Sequence, residues 1–143
     1  MKTVIEYGRE TVKLIKVWTN GCFDILHRGH IELFKYAKSL GDELTVGVDS
    51  DRKVMADKGR GRPVNKLEDR VEILKSIKYI DRIVHFDSSD ELECLIKSYN
   101  PDIIIIGSDW KGKRVVGEQY TKEIKFFDRI EAYSTTNILN VAK

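Results

Sequence analysis

The order in which two apolar patterns follow each other most constrains what this chain can fold into. Short runs ended by Gly or Asp alternate with longer segments whose apolar residues recur every three or four positions. The runs "IKVWTNGC" (15–22), "ELTVGVDSD" (43–51), "RIVHF" (82–86), "DIIIIGSD" (102–109) and "EIKFFDR" (123–129) read as strands. The uninterrupted "IIII" suits a strand covered on both faces. Between them, "HIELFKYAKSLGD" from His30 and "KLEDRVEILKSIKYI" (66–80) carry helical spacing, with Gly41 placed to end the first. "SDELECLIKSYN" (89–100) has Ser89 as its expected cap and Pro101 after its end, and "STTNILNVAK" (134–143) starts a last helix at Ser134. With a short helix between the fourth and fifth strands, this alternation predicts an α/β fold. We expect a doubly wound, five-stranded, mainly parallel sheet with helices on both faces. Residues 1–14 fall outside the alternation and read as an N-terminal extension, with one domain over 15–143.

Composition narrows the class. The 143 residues suffice for one domain with a sizeable core, and 41% apolar with 34% charged content excludes a disordered chain. The net charge of +2 gives no argument for nucleic acid. No apolar run is long enough to span a bilayer, and "MKTVIEYGRE" lacks the apolar core of a signal peptide. Two cysteines, Cys22 and Cys94, make no disulfide framework and read as free thiols of a cytoplasmic protein.

In an open parallel sheet, ligands sit beyond the carboxyl ends of the strands. Four chemistry-bearing segments follow strands here: "TNGCFDILHRGH", "DSDRKVMADKGRGRP", "GSDWKGK" and "RIEAYSTT". The first brings His27 and His30 to the start of a helix, where free N–H groups favour phosphate. Gly21 and Gly29 let backbone approach a ligand closely. Lys58, Arg60 and Arg62 lie in a glycine-containing stretch that reads as a mobile phosphate clamp over 54–62. Arg70, Arg129 and the hydroxyls of Ser134, Thr135 and Thr136 add donors. Asp24 and Asp109 are acidic exceptions able to orient a substrate group or a Mg2+ ion. Trp110 reads equally as a core anchor or a ligand contact. No nucleophile stands beside a base, so the residue set fits transfer by positioning and charge stabilisation.

"GCFDILHRGH" and "YSTTNIL" resemble the two signatures of the HxGH nucleotidyltransferase superfamily, in its cytidylyltransferase-like branch. The resemblance runs in order from about Val17 to Leu139. It implies a Rossmann-like sheet and attack of an anionic oxygen on the α-phosphate of a nucleoside triphosphate, releasing pyrophosphate. His27, His30, Lys58 and Arg70 are then the expected catalytic set. Gly21, Cys22, Phe23, Asp24, Gly29, Gly107, Asp109, Arg129, Ser134, Thr135 and Thr136 are expected at the nucleotide, and Asp24, Lys58 and Trp110 at the acceptor. Mg2+ is implied as cofactor, held mainly by the triphosphate rather than by a protein-only site. The implied partners are the triphosphate and a small phosphorylated acceptor, without nucleic acid or membrane, in a homodimer.

Two subfamilies share these signatures. "DWKGK" (109–113) and "DRIEAYSTT", with Arg129 four residues before Tyr133, resemble glycerol-3-phosphate cytidylyltransferases. "KGRGRPVNKLEDR", "FDSSDELECLIKSYNPDIIIIG" and "VVGEQ" resemble heptose 1-phosphate adenylyltransferases. The expectation is CTP and a small phosphorylated polyol, with backbone around Gly107–Asp109 and Arg129–Glu131 as the base slot. The alternatives are ATP with heptose 1-phosphate and, from another class, a catalytically silent nucleotide-binding module.

Overall fold

The structure, a computed structural model, describes residues 4–7, 10–129 and 134–141. A short antiparallel hairpin, β1 (Val4–Tyr7) and β2 (Glu10–Lys13), stands as its own two-stranded sheet. It occupies the stretch that the sequence left outside the alternation. The main sheet holds β3 (Lys16–Gly21), β4 (Glu43–Asp49), β5 (Arg82–Phe86), β6 (Ile103–Gly107) and β7 (Glu123–Phe127). All four pairings are parallel, in the spatial order β5-β4-β3-β6-β7. The chain therefore winds outward from β3 one way, then returns to its other side with β6. The reversal point lies between β3 and β6, and β3 ends there at Gly21 and β6 at Gly107.

Side-chain alternation along the strands builds two cores. Val17, Leu44, Val46, Val48, Ile103 and Ile105 pack with Phe34 and Ala37 of α1 (Arg28–Ser39) and Leu74 of α3 (Leu67–Lys75). Trp18, Phe86 and Ile104 face the other way, onto Leu92, Ile96 and Tyr99 of α4 (Ser89–Tyr99) and Val115. "IIII" thus divides its residues between both cores, as a centrally placed parallel strand requires. Three-residue 3-10 turns at Ser108–Trp110 and Glu118–Tyr120 stand where one short helix was expected. The last helix, α5 (Thr135–Val141), begins one residue after Ser134, whose carbonyl accepts from Ile138 N–H at 3.1 Å.

Several boundaries differ from the sequence reading. Helix α4 is capped by Ser88, not Ser89: the Ser88 hydroxyl accepts from Glu91 N–H at 3.1 Å. Helix α1 is capped at its end by Leu40 rather than Gly41. Gly41 instead lies tight against β3, where a Cβ would come within 2.7 Å of the Ile15 carbonyl oxygen. Helix α3 stops at Lys75, five residues short of the expected end.

The largest difference is α2 (Asp51–Lys58), in the stretch read as an open basic loop. Ser50 caps it by accepting from Lys53 N–H, Asp51 favours its first turn, and Lys53 pairs with Asp57 one turn on. It buries only Val54, so no apolar stripe announced it. Gly59, at φ +95°, ends it in a conformation that only glycine adopts easily.

Candidate active site

The site grows from the break between β3 and α1. Phe23 sits at φ +49°, a left-handed turn that is costly for a bulky residue, and its ring is buried between His30 and Phe34. Gly21 makes room for it: a Cβ there would lie 3.1 Å from the Phe23 ring. The chain then enters α1 through its two histidines. His27 Nδ1 accepts from Gly29 N–H at 3.0 Å, and His30 Nδ1 accepts from His27 N–H at 3.1 Å. This is a reciprocal capping box built from imidazoles. Each ring uses Nδ1 as an acceptor, so in the neutral tautomer Nε2 carries the proton and is the donor.

The two rings stack, with centroids 3.9 Å apart. Burial, with the neighbouring His27 second, pushes His30 down to about 4. Burial and then the Arg129 charge push His27 below the ordinary imidazole value. Both histidines are therefore neutral hydrogen-bond donors at neutral pH. Catalysis should show no inflection near 6.5, and an acid limb should appear only as His30 protonates. Stability follows the same group. Above 6.5 neither the folded nor the unfolded His30 is charged; between 6.5 and about 4 only the unfolded chain binds the proton, so folding weakens as the pH falls through that window. A kcat profile and thermal midpoints over this range test both statements. A kcat that falls with an apparent pKa of 6.5 would contradict them.

Asp24, expected at the nucleotide, the acceptor or Mg2+, is put to another use. It is 1% exposed and accepts from Arg62 Nε at 3.0 Å, Val64 N–H at 2.8 Å and Asn65 N–H at 2.8 Å. Burial raises its carboxyl, but the N–H groups of Asn65 and Val64 and the Arg62 guanidinium outweigh this and hold it below the usual carboxylate range. Asn65 Nδ2 also donates to the Asp24 carbonyl. Asp24 is thus a clasp that fastens the 62–65 segment to the histidine loop. Arg62, expected in a mobile phosphate clamp, is half of that clasp.

Arg70, expected at a phosphate, stands in this structure as an internal strut. Its side chain is fully buried. Nε donates to the Asn65 carbonyl at 3.0 Å, Nη1 to the carbonyls of Cys22 at 2.7 Å and Asp49 at 2.8 Å, and Nη2 to Asp51 Oδ1 at 2.7 Å. One guanidinium therefore locks the histidine loop, the end of β4, the start of α2 and the 62–65 segment together. Asp51 also caps α3, accepting from Leu67 N–H at 2.8 Å. Neither Asp51 nor Asn65 was singled out in the sequence, although both sit at helix starts.

The remaining expected residues have separate surroundings. Thr135 Oγ1 donates to the Ile25 carbonyl at 2.8 Å, which docks α5 on the histidine loop and commits that hydroxyl. Thr136 is exposed and lines a cleft of about 510 Å3 with Arg60, Gly61, Arg62, Val64, Leu139 and Asn140. Lys58 and Arg60 are exposed and form no ion pair among the described residues. Gly107 has open space where a side chain would stand. Arg129 pairs with Asp109 at 3.5 Å, and its charge reaches His27. Trp110 is 45% exposed, so it is no core anchor. The expected slot residue Glu131, and Tyr133, lie outside the described residues. Among the described residues no helix is long and apolar enough to cross a membrane.

The fold and the paired imidazoles define an α/β protein with two neutral histidine donors at the break between β3 and α1, beside its sheet reversal. The chain belongs to the cytidylyltransferase-like family, whose model matches residues 18–140. The bifunctional protein HldE of Campylobacter fetus subsp. fetus (strain 82-40) is 48% identical over 127 residues, which is 89% of this chain and 28% of that protein. The bifunctional protein HldE of Sulfurimonas denitrificans is 40% identical over 143 residues, all of this chain and 30% of that one. The chain thus spans less than a third of the length of these relatives. Among solved structures, a lipopolysaccharide core biosynthesis protein from Thermoplasma volcanium GSS1 superposes with TM-score 0.66 at 28% identity, over 80% of this chain and 97% of that one. Pantoate-beta-alanine ligase from Francisella tularensis, 14% identical with TM-score 0.58 over 90% of this chain and 69% of that one, shares the fold alone. These relatives correct one expectation. The expectation of CTP with a small phosphorylated polyol is overturned, because the relatives are HldE proteins. "DWKGK" and Arg129 misled the sequence reading.

Proposed function

We propose that this chain is an adenylyltransferase that joins ATP to heptose 1-phosphate, giving ADP-heptose and pyrophosphate. The observation that carries the reading is the likeness to HldE proteins over 89% to 100% of the chain. An acceptor phosphate oxygen attacks the α-phosphorus of ATP. That P–O bond forms as the bond to the β-phosphate oxygen breaks, and pyrophosphate leaves. The Nε2–H groups of His27 and His30 donate to the phosphate oxygens as charge builds, and neutral donors need no prior protonation. Lys58 and Arg60, with the Ser134 and Thr136 hydroxyls, take the outgoing phosphates across the cleft beside α5. Arg70 and Asp24 position the histidine loop without touching substrate.

Mg2+ would neutralise the triphosphate and polarise the leaving group. The donor set fits an ion carried by the nucleotide, because both Asp24 oxygens are already engaged. Pyrophosphate release from ATP or CTP, against heptose 1-phosphate and glycerol 3-phosphate, tests the reading. With heptose 1-phosphate, kcat/KM for ATP should exceed that for CTP at least about tenfold, the effect of one or two unpaired polar groups on the wrong base. Preference for CTP, or turnover with glycerol 3-phosphate alone, overturns it.

A further inference from the structure

Two half-buried polar side chains on one face of the sheet keep hydrogen-bonding capacity that the fold does not use. Val46 and Val48 face α1 and α3, so Gly47 and Asp49 face the opposite side, with Trp18 and Phe86. Asn20 lies on that same side, registered against Gly47 on the neighbouring strand. Asn20 Oδ1 accepts from Trp18 Nε1 at 2.9 Å. This fixes the amide and turns its Nδ2 hydrogens away from the indole, and Nδ2 donates to nothing among the described residues. The Asp49 carboxylate accepts no hydrogen bond among the described residues, although its carbonyl is held by Arg70. Burial raises the Asp49 carboxyl, and Lys53 on α2 opposes that rise.

Between the two side chains the sheet is bare. Gly47 contributes no side chain, and a Cβ there would lie 2.6 Å from Trp18 Cζ2, so the indole closes the bottom of the notch. Lys53, over the Phe86 ring at 5.9 Å and paired with Asp57 at 2.7 Å, borders it. A donor on one strand and an acceptor two residues further along the next stand roughly 8 Å apart at their Cα atoms, from the usual strand spacing and rise. That gap suits a sugar ring carrying several hydroxyls. The notch opens at the carboxyl ends of β3 and β4, on the α2 side of the histidine loop. By strand order, β3 lies between it and Gly107 at the end of β6.

We propose that Asn20 and Asp49 form the hydroxyl-recognition subsite for the acceptor sugar, Asp49 accepting from one ring hydroxyl and Asn20 donating to a neighbouring one. This rests on the adenylyltransferase reading above and assigns its acceptor side. A half-buried pair whose Nδ2 donors and carboxylate oxygens keep spare hydrogen-bonding capacity discriminates strongly, since an acceptor lacking either hydroxyl leaves a polar group unpaired. Near-isosteric variants test it. Asp49→Asn replaces an acceptor oxygen by an amide donor, and Asn20→Asp keeps the bond from Trp18 while removing the Nδ2 donors.

With ATP saturating, each variant should raise KM for heptose 1-phosphate about tenfold or more. KM for ATP should stay within about twofold, and the thermal midpoint should hold. Unchanged acceptor KM, an equal rise in both KM values, or a lowered midpoint with unchanged acceptor KM overturns the subsite while leaving the adenylyltransferase reading intact. Absence of pyrophosphate from wild-type protein with ATP and heptose 1-phosphate overturns the reading itself, and the subsite with it.

Discussion

His30→Ala is expected to lower kcat by roughly 10²- to 10³-fold, the usual loss when one preorganised donor to a developing charge is removed. His30 has both roles needed for so large an effect. Its Nδ1 accepts from His27 N–H at 3.1 Å, so the ring is fixed and Nε2 carries the proton. Its partial burial keeps it neutral, with the pKa at about 4, so the donor is present at every working pH. Removing the ring also frees the stacked His27, 3.9 Å away, and the loss therefore exceeds that of one hydrogen bond. The structural cost is smaller, about 0.5–2 kcal/mol for a lost capping interaction. Pre-steady-state measurement of pyrophosphate release, with a thermal melt on the same sample, separates the two. A near wild-type kcat would take His30 out of the chemistry.

Arg70→Met should act in the opposite way, on the fold first. The buried guanidinium makes four hydrogen-bonded connections to Cys22, Asp49, Asp51 and Asn65, and the variant leaves those oxygens facing an apolar chain. Each buried oxygen left without its donor costs about 1–3 kcal/mol, so losing the bonds to the three carbonyls costs about 3–5 kcal/mol in all. For a domain of this size that lowers the midpoint by roughly 10–20 °C. A phosphate ligand at the surface would show the reverse pattern: a raised KM for ATP with an unshifted melt. Thermal or urea denaturation, set beside the ATP dependence of the rate, decides between the two roles.

The sequence exposed the fold more fully than the site. Strands β3 to β7 announced themselves because each is a short apolar run ended by a turn residue, and the parallel order followed from the helical spacing between them. Helix α2 did not, since its stability comes from the Ser50 cap, the Lys53–Asp57 pair and one buried valine rather than from a stripe. At the site, the histidine pair could be read from spacing alone, and the structure seats it at the start of α1. The roles of Arg70, Arg62 and Asp24 could not. A charged residue near a phosphate signature looks the same in sequence whether it faces the ligand or braces the loop beneath it. The difference is burial, and burial here is set by residues about 40 to 50 positions away, as in the Asp24–Asn65 and Arg70–Cys22 bonds. Base choice was misread for a related reason. Two local features, "DWKGK" and Arg129 four residues before Tyr133, weighed more in the reading than the likeness of the chain as a whole.

The central position of β3 has a temporal meaning for a chain made from its amino end. Its first neighbour, β4, follows about 27 residues later, as the bond from Ile15 N–H to Asp42 shows. Its second, β6, is 86 residues away, by the bonds from Thr19 Oγ1 to the Ile105 carbonyl and from Lys16 N–H to Asp102. Until Ile103–Gly107 has emerged, β3 is an edge strand carrying Val17 and Trp18, residues that belong to two different cores. At typical synthesis rates of about 5–20 residues per second, that exposure lasts several seconds. An unpaired apolar edge is a template for pairing with other chains. The strand order that creates the ligand crevice therefore also sets the interval during which the nascent chain most needs shielding, and the late contact between β3 and β6 is the step that ends it.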